Sequence, residues 1–152
     1  MSSPKWKIKN LSKGITFKKA AVIILNNRIK KAAVSIKKYL KDESPEKLHN
    51  VRISIRRLRY NLEIFYSLFD SKKLMKFHDL LIQIQNSTGN VRDIHITNEN
   101  ILLFKHDQDN GFNDFIINRL KDKQKIIMED LRILLISYLN SSELKNFVKL
   151  IK

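Results

Sequence analysis

The chain has no cysteine, which excludes disulfides and any cysteine-based zinc site. Three glycines and two prolines in 152 residues leave little material for a turn-rich β fold and favour long helices. No stretch approaches the roughly 20 apolar residues of a membrane-spanning helix. The apolar run Ala20–Leu25 is too brief for a signal-peptide core and sits inside an amphipathic pattern. The expectation is a cytoplasmic, soluble protein with no membrane partner. Acidic residues are scarce: 15 Asp and Glu stand against 30 Lys and Arg, a net charge of +15. Hydrophobic residues make up 43% of the chain, which excludes a disordered basic tail. The length suits one domain with a real core. The charge excess favours an anionic partner, whether nucleic acid, acidic membrane or phosphate polymer, and does not choose among them.

What is present is helical periodicity. Residues 1–14 read as a flexible, Lys-rich lead, with Trp6 as a pin to the body. Residues 15–152 read as one helical bundle. Ile15–Lys41 repeats apolar residues at helical spacing through Ala21, Val22, Leu25, Ile29, Ala32, Ala33, Ile36, Tyr39 and Leu40. Lys19, Lys30, Lys37, Lys38 and Lys41 fall mostly on its outer face, which suits a solvated surface. Arg28 and Lys31 lie at the stripe's edge, where Arg28 is a candidate for an anion cleft. Ser44 and Pro45 mark the start of a second helix, as N-cap and first-turn residue, which the spacing carries to about Phe69.

A third segment, 71–104, is capped by Asp70 or Ser71, with Leu74, Phe77, Leu81 and Ile84 inward. Gly89 interrupts it, as a C-cap and restart or as a glycine inside one long helix. Continued apolar spacing through Val91, Ile94, Ile101 and Leu102 favours the long helix. Asn110-Gly111 signals a turn. A fourth helix follows from about Asn113 to Leu139, with a core stripe of Ile116, Ile117, Leu120, Ile127, Leu131, Leu134, Leu135 and Tyr138. After Asn140-Ser141-Ser142 a short amphipathic segment turns Leu144, Phe147, Val148 and Ile151 inward. The expected fold is all-α: a four-helix up-down bundle with a short C-terminal helix.

His49–Phe69 holds the most informative pattern. At 100° per residue, His49, Arg52, Arg56, Arg59 and Glu63 fall within an arc of roughly 80°. On one side lies the apolar stripe Leu48, Val51, Ile55, Leu58, Leu62, Phe65, Tyr66 and Phe69. On the other lie Ile53, Tyr60 and Ile64. A basic row with apolar walls on both sides reads as the lining of a cleft, and such a cleft attracts a polyanion. The solvated-face alternative is weakened by the preference for Arg, whose planar fork grips phosphate oxygens in pairs. Glu63, four residues after Arg59, reads as orienting that side chain. The nearby helix N-terminus also favours an anion. Arg92 has two open readings: a structural pair with Asp93, or a side chain in the cleft. Arg119 and Lys123 on the fourth helix are secondary candidates for anion contact, against a solvated alternative.

No paired carboxylates accompany the basic row, and Glu63 among arginines is a poor metal ligand set. His78, His95 and His106 share no site-building spacing with His49, and His78 and Asp79 do not face each other. The expectation is a binding protein, with neither enzyme activity, metal nor cofactor. A nucleic-acid-binding protein is the alternative. It explains the charge equally well but calls for stacking aromatics or a recognition helix, and only Tyr60 and Tyr66 lie near the stripe with a hydroxyl.

His49-x-x-Arg52-x-x-x-Arg56-Arg57-x-Arg59, followed by Gly89-x-x-Arg92-Asp93, resembles the CHAD family, the conserved histidine α-helical domain. The first motif matches at every defining position. In the second, Thr88 stands where the family usually has Leu. The resemblance implies a helical domain that binds inorganic polyphosphate through a basic channel and resides, by implication, at polyphosphate granules. The family's basic positions carry over to His49, Arg52, Arg56, Arg57, Arg59 and Arg92. Arg57, about 100° from Arg56, would face a second wall of the cleft or a partner subunit. Family members are usually twice this length, with two related four-helix halves, whereas this chain carries one half. Arg56-Arg57-Leu58-Arg59 resembles the first half and Tyr60-Asn61-Leu62-Glu63 the second. The expectation is a homodimer that rebuilds the full architecture, with the channel between subunits.

Overall fold

The structure, a computed structural model, describes residues 8, 10–107 and 114–151. Trp6 and the Asn110-Gly111 turn lie outside them. The described residues form five α-helices and no strand: α1 (Phe17–Lys41), α2 (Pro45–Ile64), α3 (Ser71–Asp107), α4 (Asp114–Asn140) and α5 (Ser142–Leu150). The all-α bundle expected from periodicity is the fold observed. Among the described residues no helix is long and apolar enough to cross a membrane.

Local chemistry sets most of the boundaries. Thr16 caps α1 by accepting the Lys19 N–H at 3.3 Å. Lys38 and Lys41 occupy its last turn, where the helix dipole favours cations. Ser44 stands at the N-cap of α2 with Pro45 behind it, but its side chain makes no capping bond. Its hydroxyl donates to Asp42 Oδ2 at 3.4 Å instead. Asp70, one of the two residues expected to cap α3, accepts the Lys72 N–H at 3.0 Å. α3 then runs unbroken through Gly89 for 37 residues, about 55 Å. Ser141 caps α5, accepting the Leu144 N–H at 3.1 Å.

α2 ends at Ile64, five residues short of the expected Phe69, and the chain tightens into one 3-10 turn at Tyr66–Leu68. The tightening reverses the chain toward α3 while keeping apolar side chains inside. Phe65 is buried edge-on to Phe17, with ring centroids 5.4 Å apart, and Leu68 and Phe69 pack against the core. Tyr66 is thereby turned outward rather than joining the apolar stripe.

From α1 to α4, consecutive helices are antiparallel neighbours. Ser35 meets Ser54 between α1 and α2, with hydroxyl oxygens 2.6 Å apart. Arg52 meets Thr88 between α2 and α3, and Phe77 meets Tyr138 between α3 and α4. α1 and α4 touch only marginally, and α5 packs mainly on α3. Phe147 of α5 stacks on Phe77 at 4.6 Å and meets the edge of Phe69 at 6.4 Å. Arg132 of α4 adds an exposed tie at 2.6 Å to Glu43 in the α1–α2 connection. Because α2 begins opposite His95 of α3, α3 beyond that point and the start of α4 extend past the α1–α2 turn as a two-helix arm. Ile116, expected in the core stripe of the fourth helix, and Leu102, on the apolar period of the third, are exposed there for want of a covering helix.

The core holds two tyrosine hydroxyls without a hydrogen-bond partner, those of Tyr39 and Tyr138. Burial pushes the Tyr39 phenol up to about 12, with Glu43 raising it further and Arg132 opposing. Burial alone pushes Tyr138 up. A phenol raised in the folded state contributes stability that is fully present below its unfolded pKa of about 10 and is lost as pH rises. Tyr138→Phe removes an unsatisfied buried group, so urea unfolding at pH 7 should show a gain of up to about 1 kcal/mol. The fall in stability between about pH 10 and 12 should become shallower in the same variant.

Candidate functional site

α2 commits one face to the core, where Leu48, Val51, Ile55, Leu58 and Leu62 are buried. Its two flanks then line grooves, one against α3 and one against α1. In the α3 groove, His49, Arg52, Arg56 and Arg92 gather around one small pocket of ≈ 100 Å³, completed by Ile53 and Gln85. No carboxylate lines it. Of the two readings of Arg92, the side chain in the cleft is the one the geometry favours.

Arg52 is the anchored member. Its Nη1 donates to the Thr88 carbonyl at 3.2 Å, across the interface to α3. The contact uses backbone, so the residue type at position 88 does not decide it. Thr88 itself is fully buried, and its hydroxyl donates to the Gln85 carbonyl at 2.9 Å, so the polar side chain is satisfied. Burial depresses the Arg52 guanidinium below its ordinary value. Arg92 depresses it further, Asp93 opposes, and Arg56 adds to the fall. The half-buried Arg52 is thus held close to two like charges carried by the exposed side chains of Arg56 and Arg92.

Gly89 borders this group. A Cβ built there would meet only Arg52 Nη1, at 3.9 Å, an ordinary contact. The continuous helix is as expected, but no backbone approaches closely enough to require glycine. The seat also differs from an N-terminal anion site. Pro45 is the first residue of α2 and the pocket begins at His49, so it lies beyond the first turn, where the dipole acts. Side chains, not orphan N–H groups, supply its donors.

The remaining sequence candidates go elsewhere. Arg59 pairs with Glu63 at 3.2 Å and lies over the Tyr60 ring, 4.9 Å from its centroid. Glu63 also meets His78 Nε2 at 2.9 Å. Arg59 is therefore neutralised one turn along the stripe from Arg56, as the reading of Glu63 anticipated. Arg57 lies on the α1 flank beside Arg28, whose guanidinium is depressed by burial first and by Arg57 second. Arg119 and Lys123 are exposed on α4 and do not line the pocket.

Gln85 was missed by sequence reasoning. Its Oε1 is buried without a partner, and it stands seven residues before Arg92, two helical turns away on the same face of α3. That spacing is the signal that would have found it. An amide there can present either its oxygen or its NH2 to a ligand. Among the described residues no three His, Asp or Glu side chains are grouped to hold a metal ion.

No curated protein and no solved structure shows a significant match to the chain. The CHAD domain family matches residues 3–101, about two-thirds of its length, which takes in α1, α2 and most of α3 with every residue lining the pocket. The chain belongs to the CHAD family.

Proposed function

We infer that the protein is a binding module for inorganic polyphosphate, held at His49, Arg52, Arg56 and Arg92. CHAD domains bind polyphosphate in general terms. The observation that carries the assignment to these residues is their convergence on one pocket with no carboxylate in its lining. A bound phosphoryl group relieves the mutual repulsion of the cations. Arg52, oriented by Thr88, uses one of its five N–H donors on the protein and has four more for phosphate oxygens. The role is binding without catalysis or cofactor, and in this reading the protein sits where polyphosphate accumulates, in the cytoplasm and at its granules.

The reading extends to a homodimer. Tyr60 and Ile64 are 47% and 66% exposed on the crest of α2, about two and three turns beyond the half-buried Ile53. Pairing two such crests about a twofold axis buries them and brings two arginine pockets toward a shared channel, with the polymer offsetting the repulsion between subunits.

Three measurements test this reading. Labelled long-chain polyphosphate, challenged with duplex DNA at matched phosphate and near-physiological salt, should stay bound to the wild type. Arg56→Ala should release it while leaving the helical circular dichroism unchanged. Displacement by DNA on equal terms, with Arg56→Ala indifferent, would show a general polyanion surface instead. Gly89→Ala should raise stability by about 0.5–1 kcal/mol, because glycine is a poor helix former and the new methyl has room. The same variant should bind polyphosphate more weakly, because that room adjoins Arg52. Light scattering should give twice the chain mass in the presence of polyphosphate; a monomer with and without the polymer refutes the dimer.

A further inference from the structure

The other flank of α2 carries a groove with different chemistry. Between α1 and α2 lies an open groove of ≈ 420 Å³ whose lining includes Lys30, Lys31, Lys38, Lys47, Asn27 and Asn50. No carboxylate and no aromatic ring lines it. Its floor is apolar, formed in part by the exposed Val34 and the lysine stems. The lining follows from the periodicity of α1. Asn27, Lys31, Val34 and Lys38 recur at i, i+4, i+7 and i+11, one row on the flank that borders α2. The first turns of α2 complete it from across the groove with Lys47 and Asn50. Beneath, the 2.6 Å contact between Ser35 and Ser54 holds the two helices together. Lys37, adjacent to Lys38 and also exposed, is turned about 100° away and does not line the groove.

A solvated basic face spreads its charges and mixes in acids. Here four ammonium groups from two helices are brought to one concave surface without an acid in the lining. Lys31 and Lys38 are about 10 Å apart along the helix axis, so the row suits a chain of linked anions better than a compact one. The absence of a ring in the lining leaves nothing on which a nucleobase could stack. We propose that the α1–α2 groove is a second binding site for linear polyphosphate, separate from the arginine pocket and lying on the opposite flank of α2. Lysine offers hydrated point charges rather than a rigid fork. The groove therefore holds the polymer loosely and by counterion release, while the arginine pocket grips it. The proposal rests on the reading of the protein as a polyphosphate binder.

Amine acetylation read by mass spectrometry tests it on the full chain, with and without saturating long-chain polyphosphate, in the wild type and in Arg56→Ala. Lys31, Lys38 and Lys47 should be acetylated several-fold more slowly at saturating polymer in both proteins, with Arg56→Ala needing more polymer to reach that protection, and Lys37 should change little. In a Lys31→Ala/Lys38→Ala variant the slope of log affinity against log salt should fall by about 0.7 per lysine, and Lys37→Ala should leave it in place. Equal protection of Lys37 and Lys38 overturns the groove in favour of diffuse charge. No protection at either, with binding abolished by Arg56→Ala, overturns the groove and leaves the arginine pocket standing. Protection of the groove lysines with binding indifferent to Arg56→Ala supports the groove and overturns the pocket. The same protection pattern from duplex DNA at matched phosphate overturns the assignment to polyphosphate.

Discussion

Arg52 is pinned to the Thr88 carbonyl while Arg56 and Arg92 stand close enough to depress it. That crowding of like charge is tolerable only because the helix carrying it is fixed from below. Leu48, Val51, Ile55, Leu58 and Leu62 are buried along the same helix, and fully burying such side chains is worth about 1.5–3 kcal/mol each. A repulsive cluster built on a less committed helix would be relieved by rotating the helix or splaying its side chains. Here rotation would expose the core stripe, so the charge stays where the packing puts it.

The same helix handles charge in three ways along its length. Near its start, Arg52 and Arg56 converge beside His49 on a pocket with no carboxylate in its lining. One turn further on, Arg59 is matched by Glu63 and by the face of Tyr60. On the opposite flank Arg57 adjoins Arg28 and lies beyond the lysine groove of α1. The contrast between a pocket dominated by arginine and a groove of lysines is chemical as well as positional. One offers oriented forks in a confined space, and the other offers mobile point charges over an open one.

Much of this was legible in the sequence, because a helix converts spacing directly into direction. The arc of His49, Arg52 and Arg56, the core stripes of α1 and α2, and the continuity of α3 through Gly89 all follow from a period of 3.6. What was not legible depends on which helix lies opposite. The contact of Glu63 with His78 and the inward placement of Arg92 are set by the register of α3 against α2. Gln85 had no marker beyond its spacing from Arg92. The lysines of α1 resemble a solvated face until α2 is laid beside them, and only then does Lys38 separate from Lys37. The exposure of Leu102 and Ile116 has one origin: apolar spacing marks a face, but not how far a neighbouring helix extends to cover it.

The unequal lengths of α2 and α3 make one element behave as two. From Leu74 to Val91 the inner face of α3 is sealed beneath its neighbours, while Leu102 and Leu103 stand in water on the arm. Backbone amides along a single unbroken helix therefore sit on a gradient of opening free energy, from near-global unfolding at one end to local fraying at the other. Thr88, Gly89 and Arg92 lie on the slow-exchanging side of that gradient. The arginine pocket is built on the part of the helix that is sealed by its neighbours, so its geometry is insulated from whatever the arm does.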